Sequence, residues 1–297
     1  MATSVITRGA QLALELAGAP AGALRNVQPP SYRVDRVAVG PGSSPLRRSG
    51  GNVVLGEMAA EFDLAAPGPL VDWLRTLTQG AARPTSGAVQ VLDLNFNEKR
   101  RIDFVDGVLT GATLPLLSAS GGRSPVTIGL SWQPARVVDG KGGGKAVKTT
   151  IGKRKAMLRS NFRVQGLPFD GSAVLSVAPP TLRSRLASPA GRQPVLHYAA
   201  VEIGELVLVL AGRSVEPARA WALKLLADGR LDEGEYLNLT VELLDASLKT
   251  VLATLQLGGC GLLAVEEPRV DAASETAPTL GLRFTVEQLD LQMAAVA

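Results

Sequence analysis

The chain predicts a mainly β protein with short flanking helices, arranged as two tandem β-barrel or β-sandwich modules. Three observations carry this expectation. The sequence repeats itself from end to end, apolar residues alternate with period two through most of each repeat, and one short stretch per repeat changes to helical spacing.

The repeat comes first because it sets the domain count. Gly18-Ala19-Pro20 recurs as Gly166-Leu167-Pro168, and Val27-Gln28-Pro29-Pro30 as Val177-Ala178-Pro179-Pro180. Val53-Val54-Leu55-Gly56-Glu57-Met58 recurs as Val201-Glu202-Ile203-Gly204-Glu205-Leu206, and Trp73 as Trp221. Gly111 matches Gly258, and Thr127-Ile128-Gly129-Leu130-Ser131-Trp132 matches Thr279-Leu280-Gly281-Leu282-Arg283-Phe284. The offsets are 148, 150, 148, 148, 147 and 152, always in the same order. Such a period is a whole domain, since solenoid units run roughly 20–50 residues. We place the first module at residues 1–138, a basic Gly/Lys-rich linker at 139–159 and the second module at 160–297.

Each module opens with alternation. Leu12, Leu14 and Leu16 face one way, Gly18-Ala19-Pro20 turns the chain, and Ala23 to Val27 returns, which predicts a hairpin. The second copy offers Phe162 and Val164, a turn at Gly166 to Gly171, and a return through Val174, Leu175 and Val177. Pro29-Pro30 and Pro179-Pro180 end these strands because proline has no N–H for the ladder. Residues 31–52 and 181–200 are the least similar region, basic and punctuated by Pro and Gly, and predict long exposed loops. Arg33, Arg36, Arg47 and Arg48 in one copy, and Arg183, Arg185 and Arg192 in the other, make them candidate assembly loops; a solvated loop is the bland alternative.

Strands follow over Val53 to Leu64 and Val201 to Leu210. Leu70, Trp73, Leu74 and Leu77 then recur at helical spacing, as do Ala218, Trp221, Ala222 and Leu225, with Pro217 in a first turn and Gly229 as a stop. Each Trp is thereby assigned to a short helix packed on a sheet, in preference to ligand stacking. Val89 to Phe96, Ile102 to Leu109 and Val126 to Trp132 predict the remaining strands of the first copy. Tyr236 to Leu244, Leu248 to Leu257 and Leu280 to Leu291 predict those of the second. The linker carries Lys141, Lys145, Lys148, Lys153, Arg154, Lys155 and Arg159 among glycines, opposed only by Asp139, and predicts a flexible basic tether.

Composition narrows the chemistry. With one cysteine, Cys260, and one histidine, His197, an internal disulfide is impossible and zinc sites of Cys/His type are disfavoured. Cys260 lies in an apolar Gly-rich run and is assigned to the core; His197 falls in the variable region beside Tyr198. Aromatics at 4% argue against a stacking platform for single-stranded nucleic acid. No stretch approaches the ~18 apolar residues of a membrane span. Ala10 to Leu24 is apolar, but Glu15 interrupts it and its turn recurs inside the chain, so a signal peptide is not expected and cytoplasmic synthesis is.

Gly140-Lys141-Gly142-Gly143-Gly144-Lys145-Ala146 fails as a P-loop because Ala146 has no hydroxyl for magnesium. Asp103 with Asp106, and Asp232 with Glu233, have no histidine partner, and no serine sits in a Gly-x-Ser-x-Gly elbow. No catalytic residue, metal site or cofactor is therefore expected, and the chain is not expected to be an enzyme. The net charge of +4 suits either an acidic protein partner or electrostatic contact with nucleic acid.

Taken in order, the opening hairpin (Leu12-x-Leu14-x-Leu16-x-Gly18; Phe162-x-Val164-x-Gly166), variable region, strand, Trp helix, hairpin and alternating last strand Val286-Glu287-Gln288-Leu289-Asp290-Leu291 form a pattern. Each copy resembles the tail-tube proteins of contractile phages and contractile injection systems, including Hcp of type VI secretion. The resemblance implies a barrel-like module with a flanking helix, six of which ring a lumen wide enough for cargo or DNA, with edge strands paired between neighbours. Ordinary members are single modules, so a tandem chain implies three chains per six-module ring, as in hub proteins where a sixfold tube meets a threefold spike. Tube, spike and baseplate proteins are the implied partners, and a phage tail or injection particle the implied location. The alternatives are a hexamer of two-module chains and a basic β-sandwich that binds nucleic acid.

Overall fold

In the computed structural model, residues 11–39, 46–64, 68–81, 83–143, 157–187, 197–229, 235–267 and 278–294 are described. The first half contains β1 (Gln11–Leu16), β2 (Ala19–Gln28), β3 (Tyr32–Val39), β4 (Leu46–Leu55), β5 (Met58–Asp63) and α1 (Gly68–Thr78). It continues with β6 (Thr85–Leu92), β7 (Glu98–Thr113), β8 (Leu117–Ser118), β9 (Thr127–Gln133) and β10 (Arg136–Lys141). The second half contains β11 (Phe162–Gln165), a 3₁₀ turn over Gly171–Ala173, β12 (Val174–Ala178), β13 (Leu182–Ala187), β14 (His197–Ile203) and β15 (Leu206–Ala211). After these come α2 (Val215–Asp228), β16 (Leu237–Leu244), β17 (Val251–Glu266), β18 (Thr279–Thr285) and β19 (Gln288–Met293).

Period-two burial makes these strands barrel walls. β5 and β15 bury every second residue, as do β9 and β18, so one face of each is apolar and turns inward. In the first half, antiparallel pairing runs β7-β6-β1-β2-β5-β9, and β9 returns to β7, which closes a six-stranded barrel. The second half repeats the order through β11-β16-β17-β18-β15-β12 but has no pairing between β11 and β12. There the 3₁₀ turn carries the chain across, and Asp170 caps it by accepting the Ser172 N–H at 2.9 Å.

The helices lie where the spacing predicts. Leu70, Trp73, Leu74 and Leu77 are the buried stripe of α1, and Val215, Ala218, Ala222 and Leu225 that of α2, which ends at Gly229 in the left-handed region (φ 63°). Trp73 belongs to the core, its ring 5.7 Å from Trp132 and 6.3 Å from Phe104. Trp221 is half-buried between Phe169 and Phe284.

Several expectations need correction. Residues 31–52 and 181–200 contain two-stranded antiparallel arms, β3–β4 and β13–β14, where exposed loops were expected. The strand expected over Val53 to Leu64 breaks between Leu55 and Met58, and its counterpart between Ile203 and Leu206. Both breaks are held by the same long-range bond: Gly56 N–H donates to Ser31 O at 2.8 Å, and Gly204 N–H to Thr181 O at 2.8 Å. β11 and β12 are not a hairpin, because β11 pairs with β16 and β12 with β15. β10 runs through Lys141 into the segment assigned to the linker, paired along β7 and held by Arg100 on Asp139 at 2.9 Å.

Strand registers also move one repeat landmark. Leu109 faces Trp132 and Leu262 faces Phe284, and both pairs are followed by a bulge, after which Gly111 faces Ser131 and Ala264 faces Arg283. The structural counterpart of Gly111 is Ala264, not Gly258, which stands opposite Gln288. A second bulge is duplicated too, between Leu24 and Asn26 in β2 and between Val174 and Ser176 in β12.

Candidate assembly interface

The two halves meet through exchanged strands. β13, from the second half, adds to the edge of β7 in the first, with Leu182 opposite Ala112 and Arg183 opposite Gly111. This extends the first barrel's sheet to nine strands, β14 being outermost on that side and β10 lying along β7. Leu182 is buried at 3% exposure beside β7, and the Ser184 hydroxyl donates to Leu109 O at 3.0 Å. Gly111 is needed for the approach: a Cβ there would stand 2.9 Å from Ser131 Oγ and 3.1 Å from Leu182 O. In return β8, from the first half, pairs with β12 at Leu117–Val177 and Ser118–Ser176.

Side-chain packing completes the junction. α1 packs against β19, and Arg75 and Thr78 of α1 share a cleft of about 550 Å³ with Asn238, Gln256, Gln288 and Asp290. A second cleft of about 410 Å³ opens where β13 meets the barrel, with Glu61, Arg159 and Arg183 among its lining residues. Arg159 belongs to this junction rather than to a tether: its guanidinium donates to Pro125 O at 3.1 Å, and its carbonyl accepts from Ser118 N–H at 3.0 Å.

The basic residues expected to mark assembly loops are therefore distributed along arms. Arg33 and Arg36 lie in β3, and Arg47 and Arg48 in β4. Arg183 and Arg185 lie in β13 and are exposed, Arg185 pairing with Glu202 of β14 at 2.6 Å. Lys141 ends β10 and is exposed. Arg192 and the linker residues Lys145, Lys148, Lys153, Arg154 and Lys155 lie outside the described residues. His197 opens β14 opposite Ala187.

One polar cluster escaped sequence reasoning. Arg101 on β7 bonds Glu15 on β1 at 2.8 Å and Asp103 at 2.7 Å, while Gln90 on β6 donates to Glu98 at 2.6 Å. Hydrogen bonding to Glu15 holds the Arg101 guanidinium more firmly protonated than usual. Glu15 lies 75 or more residues from the other four, and the register of β1 on β6 and of β6 on β7 brings them together. Cys260 is fully buried, and desolvation pushes its thiol up to about 11, so it stays protonated and unreactive at neutral pH. Among the described residues, no group of His, Cys, Asp and Glu is placed to hold a metal ion, and no helix is long and apolar enough to cross a membrane.

No protein-family model and no curated protein matches the chain. Solved structures do. The anti-feeding prophage tube terminating cap is similar at 12% identity, over 45% of this chain and 89% of that one, with a TM-score of 0.37. The sheath-tube complex of an extracellular contractile injection system, PVC, is similar at 14% identity over 45% and 89%, with a TM-score of 0.37. Hcp1 from Flavobacterium johnsoniae is similar at 16% identity over 44% and 96%, with a TM-score of 0.32. The chain is mainly β, in two barrel-like sheets each flanked by one helix, and the solved structures it is similar to include a tube cap, a sheath-tube complex and an Hcp protein.

Proposed function

We propose that this chain is a structural ring component of a contractile tail or injection system, positioned where the tube meets the baseplate or spike, with three chains supplying six modules. The observation that carries the reading is the duplicated barrel whose two copies are joined as neighbours. β13 of one half extends the sheet of the other, and on this reading one subunit fastens to the next in the closed ring by the same strand addition. The halves have the same strand order and the same bulges but different edges, as expected of positions that alternate around a threefold axis.

On this reading the chain acts by shape rather than catalysis. It assembles from cytoplasmic subunits into the particle, its partners are tube, spike and baseplate proteins, and cargo or DNA passes through the lumen. The basic arms and the Lys141–Lys155 stretch meet acidic surfaces of those partners. Native mass measurement tests the assembly. A species of three times the 30.9 kDa chain mass is expected. Six chains per particle would make it a double-height tube segment instead, and a monomer at every concentration would contradict the proposal.

A further inference from the structure

We propose that the junction inside the chain recurs between chains: the β3–β4 arm of one copy extends β17 of a second copy, with Tyr32 opposite Val265 and Arg33 opposite Ala264. This rests on the ring reading above and specifies the surface that closes the ring.

The register follows from the duplication. Leu182 and Arg183 of β13 correspond to Tyr32 and Arg33 of β3, each pair following a Pro-Pro and each facing the last residues of the companion strand. Ala112 and Gly111 of β7 correspond to Val265 and Ala264 of β17 through the shared bulge. Inside the chain the first pair of strands is joined; the second pair is not. Over Gly261 to Glu266, β17 carries β18 on one side, and among the described residues no strand pairs on its other side. Among the described residues, β3 and β4 pair only with each other, and two matching edges with unspent N–H and C=O groups stand open, one in each half of the chain.

Side chains at these edges lack the cover their counterparts have. Leu182 is 3% exposed, whereas Tyr32 is 63% exposed, with Val34 and Val53 beside it on the arm. Thr110, beneath the attached arm, is 6% exposed, whereas its counterpart Leu263 on the open edge is 48% exposed. The helix contact behaves alike. Arg75 and Thr78 of α1 line the cleft against the second half, and 148 residues later α2 presents Leu223 and Leu226 to solvent. The face they would meet, β10, shows an exposed Val138. Polar residues suffice where the chain itself holds the partners at high effective concentration. Apolar residues stand at the same places where association must come from burial.

The paired arrangement fits one occupant, a second copy of this chain, and disulfide trapping tests it. Facing residues of an antiparallel pair lie within the range a disulfide spans. The full chain carrying Tyr32→Cys and Val265→Cys should, on oxidation, give covalent dimers and trimers on a non-reducing denaturing gel. The control pair Leu182→Cys and Ala112→Cys should give only an internally bridged monomer. Oligomers by light scattering with no cross-link at 32/265 would overturn the arm proposal and leave the ring reading standing, while a monomer throughout would overturn both. Independently, Leu223→Glu with Leu226→Glu, both exposed, should weaken self-association roughly tenfold or more without moving the melting temperature; unchanged association would contradict the helix part of the contact.

Discussion

The first half of the molecule has a finished sheet and the second does not. β7 is covered on its far edge by β13, whereas among the described residues no strand covers β17, of the same length and bulge, at the equivalent place. The closed barrel and the open one differ in the same sense, since β1 and β2 pair but β11 and β12 do not. Two copies of one fold have thus diverged at their boundaries more than in their cores. The difference teaches that the shared pattern lies in the cores, while the edges of each copy follow what covers them.

The largest test of the comparison lies in the cores. Trp73 of α1 is buried against Trp132 and Phe104, so Trp73→Ala should cost about 3–5 kcal/mol in denaturant unfolding. Trp221→Ala, from a half-buried ring on the second barrel, should cost about half as much. Equal losses would mean that the two helices pack alike. Next comes the edge. Leu182→Asp places a charge in the covered junction and should cost about 2–4 kcal/mol, whereas Tyr32→Asp on the open arm should stay within about 0.5 kcal/mol. A comparable cost at both positions in the isolated chain would sink the assignment of one as covered and the other as free.

Turns give a smaller, pH-dependent effect in both halves. Asp93 accepts N–H groups of Asn97 and Asn95 in the β6–β7 turn, which, with Lys99, lowers its carboxyl from the ordinary 3.8 to about 2. Asp170, bonded to Ser172 and Arg213, is likewise lowered to about 2. Both carboxyls are depressed on folding, so their contribution is whole above pH 3.8 and fades as pH falls through 2. Asp93→Asn should therefore lower the melting temperature at pH 7 and match the parent near pH 2; a constant gap would contradict the titration. The smallest effect belongs to the arm surface. Arg185→Ala breaks an exposed pair with Glu202 and should change stability by no more than about 0.5 kcal/mol, as read from the same unfolding curves.

Much of this was legible in the sequence, because periodicity reports burial. The alternation in β1, β5, β9 and β18 and the 3.6-residue spacing in α1 each appear where their apolar residues say. The arms were not legible, since β3 and β4 are edge ribbons whose strand character comes from pairing with each other, and Arg, Gly and Pro mask any alternation. Nor was the break at Gly56: apolar residues run through Val53, Val54, Leu55 and Met58, and it is the Gly56 N–H bond to the carbonyl of a residue distant in sequence, Ser31, that holds the turn. Gly111 pairs with Gly258 in the sequence repeat because one glycine resembles another, while the bulge that fixes its true counterpart is a property of two paired strands. The junction itself lay beyond sequence reasoning, as Leu182 and Ala112 are brought together only by the exchange of β13.

Single-particle electron microscopy of the purified chain, viewed along the particle axis, tests the central claim most directly. Two barrel units per chain, joined by one kind of contact used within and between chains, predict a closed ring of six lobes that alternate in outline about a threefold axis. Isolated two-lobed particles at every concentration, or rings in which the lobes of one chain are not adjacent, would contradict it.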